Sequence, residues 1–334
     1  CGNTFILKPS ERDPSCANVM ARLFSEAGLP DGVFNVVHGD KVAVDCILEH
    51  EGIEAVSFVG STPVAEYIYH LGTANNKRVQ ALGGAKNHAI IMPDADIDQA
   101  VDAMIGAAFG SAGERCMALS VAVVVGNDIA DEMINKIKYQ AINIKVGCGM
   151  VTDNEMGPLI TKEHCDRVKR LISEGQGQGA KVVLDGREFE GPKGNKNGYF
   201  CGPTILDNVT KDMSVYKEEI FGPVLVVVRV ESYDEAVKLV QNHEYGNGTC
   251  IFTRDGDIAR NFTRKIKVGM VGVNVPLPVP LAFHSFGGWK RSIFGDHHMY
   301  GPEGVRFWTK IKTVTSRWPT SIMAGANLSF PSSD

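Results

Sequence analysis

A chain of 334 residues is too long for one ordinary domain and long enough for two hydrophobic cores. Its 44% hydrophobic and 22% charged residues are those of a globular protein, and a formal net charge of -5 gives no electrostatic basis for binding nucleic acid or an anionic membrane. No apolar run approaches the ~20 residues of a membrane-spanning helix.

The first 80 residues alternate short β-rich runs with helical patterns. Thr4–Leu7 reads as a strand and leads into Lys8-Pro9-Ser10-Glu11. Ala17–Ala27 carries Val19, Met20, Leu23 and Phe24 at helical spacing and stops at Gly28. Val33–Val37 is a second strand, Val42–Leu48 a second helix and Ala55–Val59 a third strand. Gly60-Ser61-Thr62-Pro63 opens a third helix, which runs through Tyr69. Repeated strand–helix units predict a parallel sheet, and ligands of such sheets gather beyond the carboxyl ends of the strands. Lys8, Ser10, Glu11, Gly60 and Ser61 all fall at such ends. Ser61, at a helix start, suits a pyrophosphate, and Lys8 and Glu11 suit the hydroxyls of an adenosine ribose. Equally, Ser10 and Ser61 are plain helix caps and Lys8 a solvated charge. No GxGxxG fingerprint decides between these readings.

A second α/β unit begins near Leu82. Ala89–Met92 reads as a strand, and Asp94 or Asp96 caps a helix whose apolar face is Ile97, Ala100, Val101, Met104, Ile105, Ala108 and Phe109. Gly110 and Gly113 end that helix, Cys116 follows in a loop, and Val121–Val125 is the next strand. Further on come a helix around Cys165–Ile172, a strand at Lys181–Leu184, a Gly/Pro/Asn-rich loop from Gly191 to Gly198 and a helix at Asp234–Asn242. Phe307–Val314 alternates in side-chain type and reads as an edge strand, of this chain or extending a neighbouring subunit's sheet. The last dozen residues read as loosely ordered.

Eight cysteines, at positions 1, 16, 46, 116, 148, 165, 201 and 250, contain no CxxC pair. That spacing predicts free thiols in a reducing compartment rather than a disulfide framework or a structural metal site. Cys116 stands apart from the other seven. Small residues precede it in Gly110-Ser111-Ala112-Gly113-Glu114-Arg115-Cys116, so a ligand can approach closely. Loop N–H groups near it suit an oxyanion, and Arg115 beside it favours the thiolate.

Gly113-Glu114-Arg115-Cys116 resembles the nucleophile motif of the aldehyde dehydrogenase superfamily. In matching order, Lys8-Pro9-Ser10-Glu11 resembles its adenosine-ribose motif, Phe58-Val59-Gly60-Ser61 its phosphate turn, and Glu218-Glu219-Ile220-Phe221-Gly222-Pro223 its nicotinamide-side motif. Ser285-Phe286-Gly287-Gly288 matches near the C-terminus. The resemblance implies an α/β architecture: a Rossmann-like NAD domain (its C-terminal part here, 1–81), an α/β catalytic domain (82–290) and a C-terminal segment with an oligomerisation strand (291–334). It implies Cys116 as the catalytic nucleophile, Glu219 on the nicotinamide ribose, Phe221 in the nicotinamide pocket, and Gly83 near the nicotinamide end. Lys8, Glu11, Arg12 and Ser61 are implied as further NAD contacts.

Many members of that superfamily release the acyl group with a glutamate in a Glu-Leu-Gly-Gly motif, where this chain has Ala81-Leu82-Gly83-Gly84. Alanine cannot act as a general base for water, whereas a thiol acceptor such as coenzyme A needs less assistance. Gly84-Ala85-Lys86-Asn87-His88, Cys116-Met117-Ala118-Leu119-Ser120 and Val273-Asn274-Val275-Pro276-Leu277-Pro278-Val279-Pro280 resemble the CoA-acylating, methylmalonate-semialdehyde branch. That branch implies a semialdehyde substrate, NAD, coenzyme A as co-substrate, no metal, and a homo-oligomer, either dimer or tetramer. Arg115 is then a contact for the substrate carboxylate, or else a structural ion pair. The opening Cys1-Gly2-Asn3-Thr4 has neither an initiator Met nor a signal peptide's basic region. It predicts an upstream segment, which the resemblance implies would carry the family's oxyanion asparagine, and so an isolated piece of impaired activity; the expected location is cytoplasmic, or the mitochondrial matrix in a eukaryote.

Overall fold

The computed structural model describes residues 1–189, 191–192, 197–316 and 318. The last dozen residues, and 193–196 of the loop predicted from Gly191 to Gly198, lie outside these.

The first unit runs β1 (Phe5–Leu7), α1 (Ser15–Glu26), β2 (Phe34–Val36), α2 (Lys41–Glu49), β3 (Ala55–Val59), α3 (Thr62–Ala74) and β4 (Arg78–Leu82). β1 and β2 pair in parallel, as do β3 and β4. Asp40 starts α2 by accepting the Val42 N–H at 3.0 Å, and Pro63 sits in the first turn of α3, where its missing N–H costs nothing. Leu48, Ala65, Ile68, Val79 and Ala81 form a small core between α2, α3 and β4. The α3–β4 contact is close because Gly72 faces Val79, whose side chain would lie 2.6 Å from any Cβ at position 72.

The second unit begins with β5 (Asn87–Ile91), α4 (Ile97–Phe109), β6 (Leu119–Val125), α5 (Asn127–Ile142) and α6 (Lys162–Gly177). It continues through β7 (Lys181–Leu184), β8 (Thr204–Asp207), α7 (Ser214–Lys217), β9 (Val224–Val230) and α8 (Tyr233–Asn242). β10 (Tyr245–Gly246), β11 (Gly248–Phe252), α9 (Gly256–Lys265) and β12 (Met270–Val273) follow. Seven strands form one sheet in the order β12-β11-β5-β6-β9-β8-β7, with only β7 antiparallel to its neighbour. Every residue of β5 and β11 is buried, which is what continuous apolar runs give when helices cover both faces of a parallel sheet. Each fully buried Val, Ile or Leu there contributes about 1.5–3 kcal/mol of burial free energy.

After β13 (Trp289–Lys290), the chain returns to the first unit. β14 (Ile293–Phe294) pairs antiparallel with β4, extending the small sheet to β14-β4-β3. The last element is α10 (Gly301–Trp308). The edge strand predicted at Phe307–Val314 is corrected at its start: Phe307 and Trp308 end a helix, while residues 309–314 pair with no strand among the described residues of this chain. The physical reason lies just upstream, where Pro302 and Glu303 make a good first helical turn. At the other end, the Arg78 guanidinium donates to the carbonyls of Arg306, Phe307 and Thr309 at 2.5–2.8 Å.

Candidate active site

Cys116 lies at the amino edge of the large sheet, three residues before β6. The link from β4 to β5, residues 83–86, runs from the carboxyl edge of the small sheet to this edge. Cys116, Arg115, Ala85, Asn87, Glu219 and Phe221 line one pocket there. For the large sheet this is the opposite edge from the one where ligands of parallel sheets usually bind; for the small sheet it is the usual one.

The nucleophile loop is held by backbone geometry that few sequences tolerate. Ser111 (φ 53°), Ala112 (φ 54°) and Gly113 (φ 71°) are consecutive left-handed residues, each non-glycine one costing about 1 kcal/mol or more. Gly113 is essential at its position, because a Cβ there would stand 2.1 Å from the carbonyl oxygen of Gly222. That approach joins the nucleophile loop to the loop carrying Glu219 and Phe221. Phe221 is itself left-handed, with φ 56°.

Two amides fix Cys116 from below. Asn87 donates through Nδ2 to the carbonyls of Cys116 and Ala118, both at 2.9 Å, and accepts the Gly248 N–H at 2.9 Å. Asn247 donates to the same Cys116 carbonyl at 3.0 Å. Neither asparagine was assigned a role from the sequence. Asn87 sits in a motif quoted only for its resemblance, and nothing around Asn247 marks it.

Burial pushes the Cys116 thiol up, and the nearby Glu219 carboxylate raises it further. The N–H groups of Cys116 and Met117 pull the other way without reversing the shift. The expectation that Arg115 favours the thiolate is thus corrected. Its Nε donates to Ser111 Oγ at 3.0 Å, and its guanidinium lies back over Gly110. Among the described residues, its two terminal nitrogens donate no hydrogen bond.

Glu219 accepts the Ala85 N–H at 2.9 Å and packs against Gly84, whose Cβ would meet Glu219 Oε2 at 2.6 Å. Burial pushes its carboxyl up, while the Ala85 N–H, Lys86 and Arg167 hold it down. Lys86 is buried and donates to the carbonyls of Val215 and Glu218, both at 2.7 Å. Burial brings its ammonium down to about 7.

Ala81 requires a second correction. It is fully buried in β4, inside the small core, and its side chain does not reach the Cys116 pocket. Ala85 does line that pocket, so the absence of a base turns on residues 82–85, and Leu82, Gly83, Gly84 and Ala85 supply none. Glu219 is the one carboxylate among the described residues lining the pocket.

The remaining sequence-selected residues lie elsewhere. Lys8 and Glu11 pair at 3.3 Å, and both line a groove of about 1200 Å³ between β1 and β3. Ser10 Oγ accepts the Arg12 N–H at 3.2 Å, and Arg12 is exposed. Ser61 occupies the cap position of α3 but makes no side-chain cap bond, leaving first-turn N–H groups free for an anion. Gly83 packs against Arg291 and Thr62, one residue from the glycine that touches Glu219.

This fold, with Cys116 in a pocket at the amino edge of the large sheet, goes with its class: the chain belongs to the aldehyde dehydrogenase family, whose pattern it matches over residues 1–314. Within that family it is 61% identical over 99% of its length to the malonate-semialdehyde dehydrogenase of Pseudomonas aeruginosa, of which it covers 67%. It is 53% identical to malonate-semialdehyde dehydrogenase 2 of Geobacillus kaustophilus over 95% of its length, covering 65% of that protein. Among solved structures, it superposes with a TM-score of 0.94 and 60% identity on methylmalonate-semialdehyde dehydrogenase from Oceanimonas doudoroffii, covering 96% of this chain and 66% of that one. A methylmalonate-semialdehyde dehydrogenase homologue from Sinorhizobium meliloti, solved complexed with NAD, gives a TM-score of 0.95 at 58% identity over 96% of this chain and 65% of that one. The chain thus spans about two thirds of the length of these relatives.

Proposed function

We propose that the full-length protein oxidises malonate or methylmalonate semialdehyde with NAD and coenzyme A. The products are acetyl-CoA or propanoyl-CoA and carbon dioxide. The observation that carries this reading is that Cys116 and Arg115, whose terminal guanidinium nitrogens donate no hydrogen bond among the described residues, line one pocket whose wall at residues 82–85 offers no base for water. The names of the relatives support the semialdehyde, and the NAD complex of one of them supports the cofactor.

Cys116 adds through its sulfur to the aldehyde carbonyl. The N–H groups of Cys116 and Met117, already close to that sulfur, stabilise the resulting oxyanion. NAD supplies the acceptor for the hydride that leaves the carbonyl carbon, and Cys116 is left as a thioester. Arg115 holds the substrate carboxylate through its two terminal nitrogens, a bidentate geometry that lysine cannot reproduce. Glu219 and Phe221 hold and flank the nicotinamide end of NAD. Gly83 lies beside that end, and Lys8, Glu11, Arg12 and Ser61 serve the adenosine-ribose and phosphate end. The β-carboxyl group departs as carbon dioxide, its C–C electron pair passing to the α-carbon of the thioester, which takes up a proton, and the thiolate of coenzyme A displaces the Cys116 sulfur as thiolate.

One observation favours a second reading. Glu219 lies in the Cys116 pocket with a raised carboxyl, so it is placed to activate water and give a free acid. NADH formation with malonate semialdehyde, measured with and without coenzyme A, separates the two. Turnover that requires coenzyme A, yields acetyl-CoA and disappears in Cys116→Ala establishes acyl transfer. Free acid formed without coenzyme A, and lost in Glu219→Gln, overturns it.

A further inference from the structure

The loop that carries Glu219 and Phe221 has no regular structure of its own, and one helix face supplies its fixed points. His164 and Arg167 stand three residues apart in α6, so their side chains leave the same face. Arg167 donates to the carbonyl of Glu219 at 3.0 Å, to that of Ile220 at 3.0 Å, and to the Glu218 carboxylate at 3.1 Å. His164 Nε2 lies 2.6 Å from the carbonyl of Phe221, so this nitrogen carries the proton and donates it. Three consecutive carbonyls are therefore held by two side chains. The arrangement keeps Phe221 in its left-handed conformation, which a phenylalanine does not adopt without such support.

His164 also reaches the other loop. Its Nε2 is 3.5 Å from Oε1 of Glu114, two residues before Cys116, and that oxygen accepts the Ile160 N–H at 3.3 Å. Both side chains are largely enclosed, with relative exposures of 18% for His164 and 15% for Glu114. One imidazole thus bridges the nucleophile loop and the loop facing it. Neither His164 nor Arg167 lines the Cys116 pocket.

We infer that His164 and Arg167 are positioning residues for the nicotinamide side of the site, fixing the Glu219 carboxylate and the Phe221 ring through the backbone of their loop. The inference rests on the reading of Glu219 and Phe221 as NAD contacts. Losing a donor to one of these carbonyls weakens whatever depends on that geometry by up to about tenfold.

The test is direct NAD binding and steady-state kinetics on the full-length protein, with unfolding temperature measured in parallel. His164→Leu is expected to raise both the Kd and the KM for NAD about tenfold, with kcat at saturating NAD within about threefold of the parent. His164→Gln, which keeps an N–H donor, restores most of the affinity. Arg167→Lys keeps the charge but not the fork; it is expected to weaken NAD binding similarly and carries the test if His164→Leu does not fold. An unchanged Kd in both variants overturns the inference. So does a fall in kcat and unfolding temperature at unchanged Kd, which marks a purely structural role. If the parent protein itself binds no NAD, the cofactor reading fails and the inference falls with it, an outcome distinct from the other two.

Discussion

A Cβ added to Gly110 would stand 2.7 Å from a terminal guanidinium nitrogen of Arg115, so the absence of a side chain at one end of the nucleophile loop sets where the arginine five residues on can rest. The backbone at Gly110, with φ -54°, accepts alanine without strain, so Gly110→Ala acts on Arg115 alone. The expected outcome is a displaced guanidinium and a roughly tenfold higher KM for the semialdehyde, with the NAD KM unchanged. Arg115→Lys should behave alike, since a single ammonium cannot grip both carboxylate oxygens. Unaltered semialdehyde KM in both variants would remove Arg115 from substrate binding.

Gly113 allows no such latitude. A Cβ there meets a backbone carbonyl at 2.1 Å, and φ 71° strains any other residue. Gly113→Ala is expected to destabilise the protein by about 2–4 kcal/mol and to abolish thioester formation, read by denaturant unfolding and by burst-phase NADH. A variant with parental stability would show that the two loops can separate at little cost.

The two asparagines make a graded pair. Asn87→Ala strips donors from two carbonyls and leaves the Gly248 N–H unpaired, whereas Asn247→Ala leaves the Cys116 carbonyl still bonded to Asn87. The former should cost about 2–3 kcal/mol and the latter about 1 kcal/mol. Chemical denaturation of both variants checks the order, and equal losses would contradict it.

How far the sequence could be read depended on which interactions carried each element. Strands and helices with a buried periodic face were legible: β3 and β7 lie where the alternation puts them, and α4 has Ala100, Val101, Met104, Ala108 and Phe109 on its buried side. α5 went unseen because its mean polarity hides a sparse face of Ala130, Met133, Ile134, Ile137 and Ala141. The helix over Gly301–Trp308 was read in part as a strand, because alternation in Phe307–Val314 outweighed the first-turn signal of Pro302 and Glu303, five and four residues before Phe307. In the site, Cys116, Arg115, Glu219 and Phe221 were found from local motifs and meet in one pocket. His164, Arg167 and Asn247 were not, since each acts on backbone carbonyls 50 or more residues away. A bond to a distant carbonyl leaves no mark on sequence spacing. The misplacement of Ala81 has the same origin, because strand parity decides which residue of a motif faces the pocket.

Acid stability should be governed by His88 and His243, which stack edge to face behind the site at 5.3 Å. His88 donates from Nδ1 to the Lys86 carbonyl, and burial holds it well below its usual value; burial brings His243 down to about 4. Unfolded, both bind protons near pH 6.5, while the folded protein excludes them until lower pH. Stability is therefore lost as pH falls from about 6.5 to about 4, with His243 contributing about 3 kcal/mol of that loss. His243→Gln should be less stable at pH 7.5 yet show a shallower decline over this window. A parallel decline in parent and variant would assign the acid sensitivity to other groups.

Glu219 offers the sharpest test of the site's electrostatics, because its charge acts on the nucleophile as well as on the cofactor side. Its carboxylate raises the Cys116 thiol, adding to the effect of burial. Glu219→Gln keeps the shape and an oxygen to accept the Ala85 N–H, and removes only the charge. Since the thiolate is the form that reacts, the variant should be alkylated by iodoacetamide faster than the parent between pH 7 and 9. Its pH–rate profile should shift to lower pH, approaching the same plateau where both thiols are ionised. The same substitution should weaken NAD binding if Glu219 holds the nicotinamide ribose, so one variant is expected to gain in thiol reactivity while losing in cofactor affinity. A slower or unshifted alkylation profile would mean that Glu219 is neutral in the parent, its raised carboxyl having kept its proton through neutral pH. In that case the carboxyl would serve the site as a hydrogen-bond donor, and Lys86, with its ammonium near 7, would not be facing a charge.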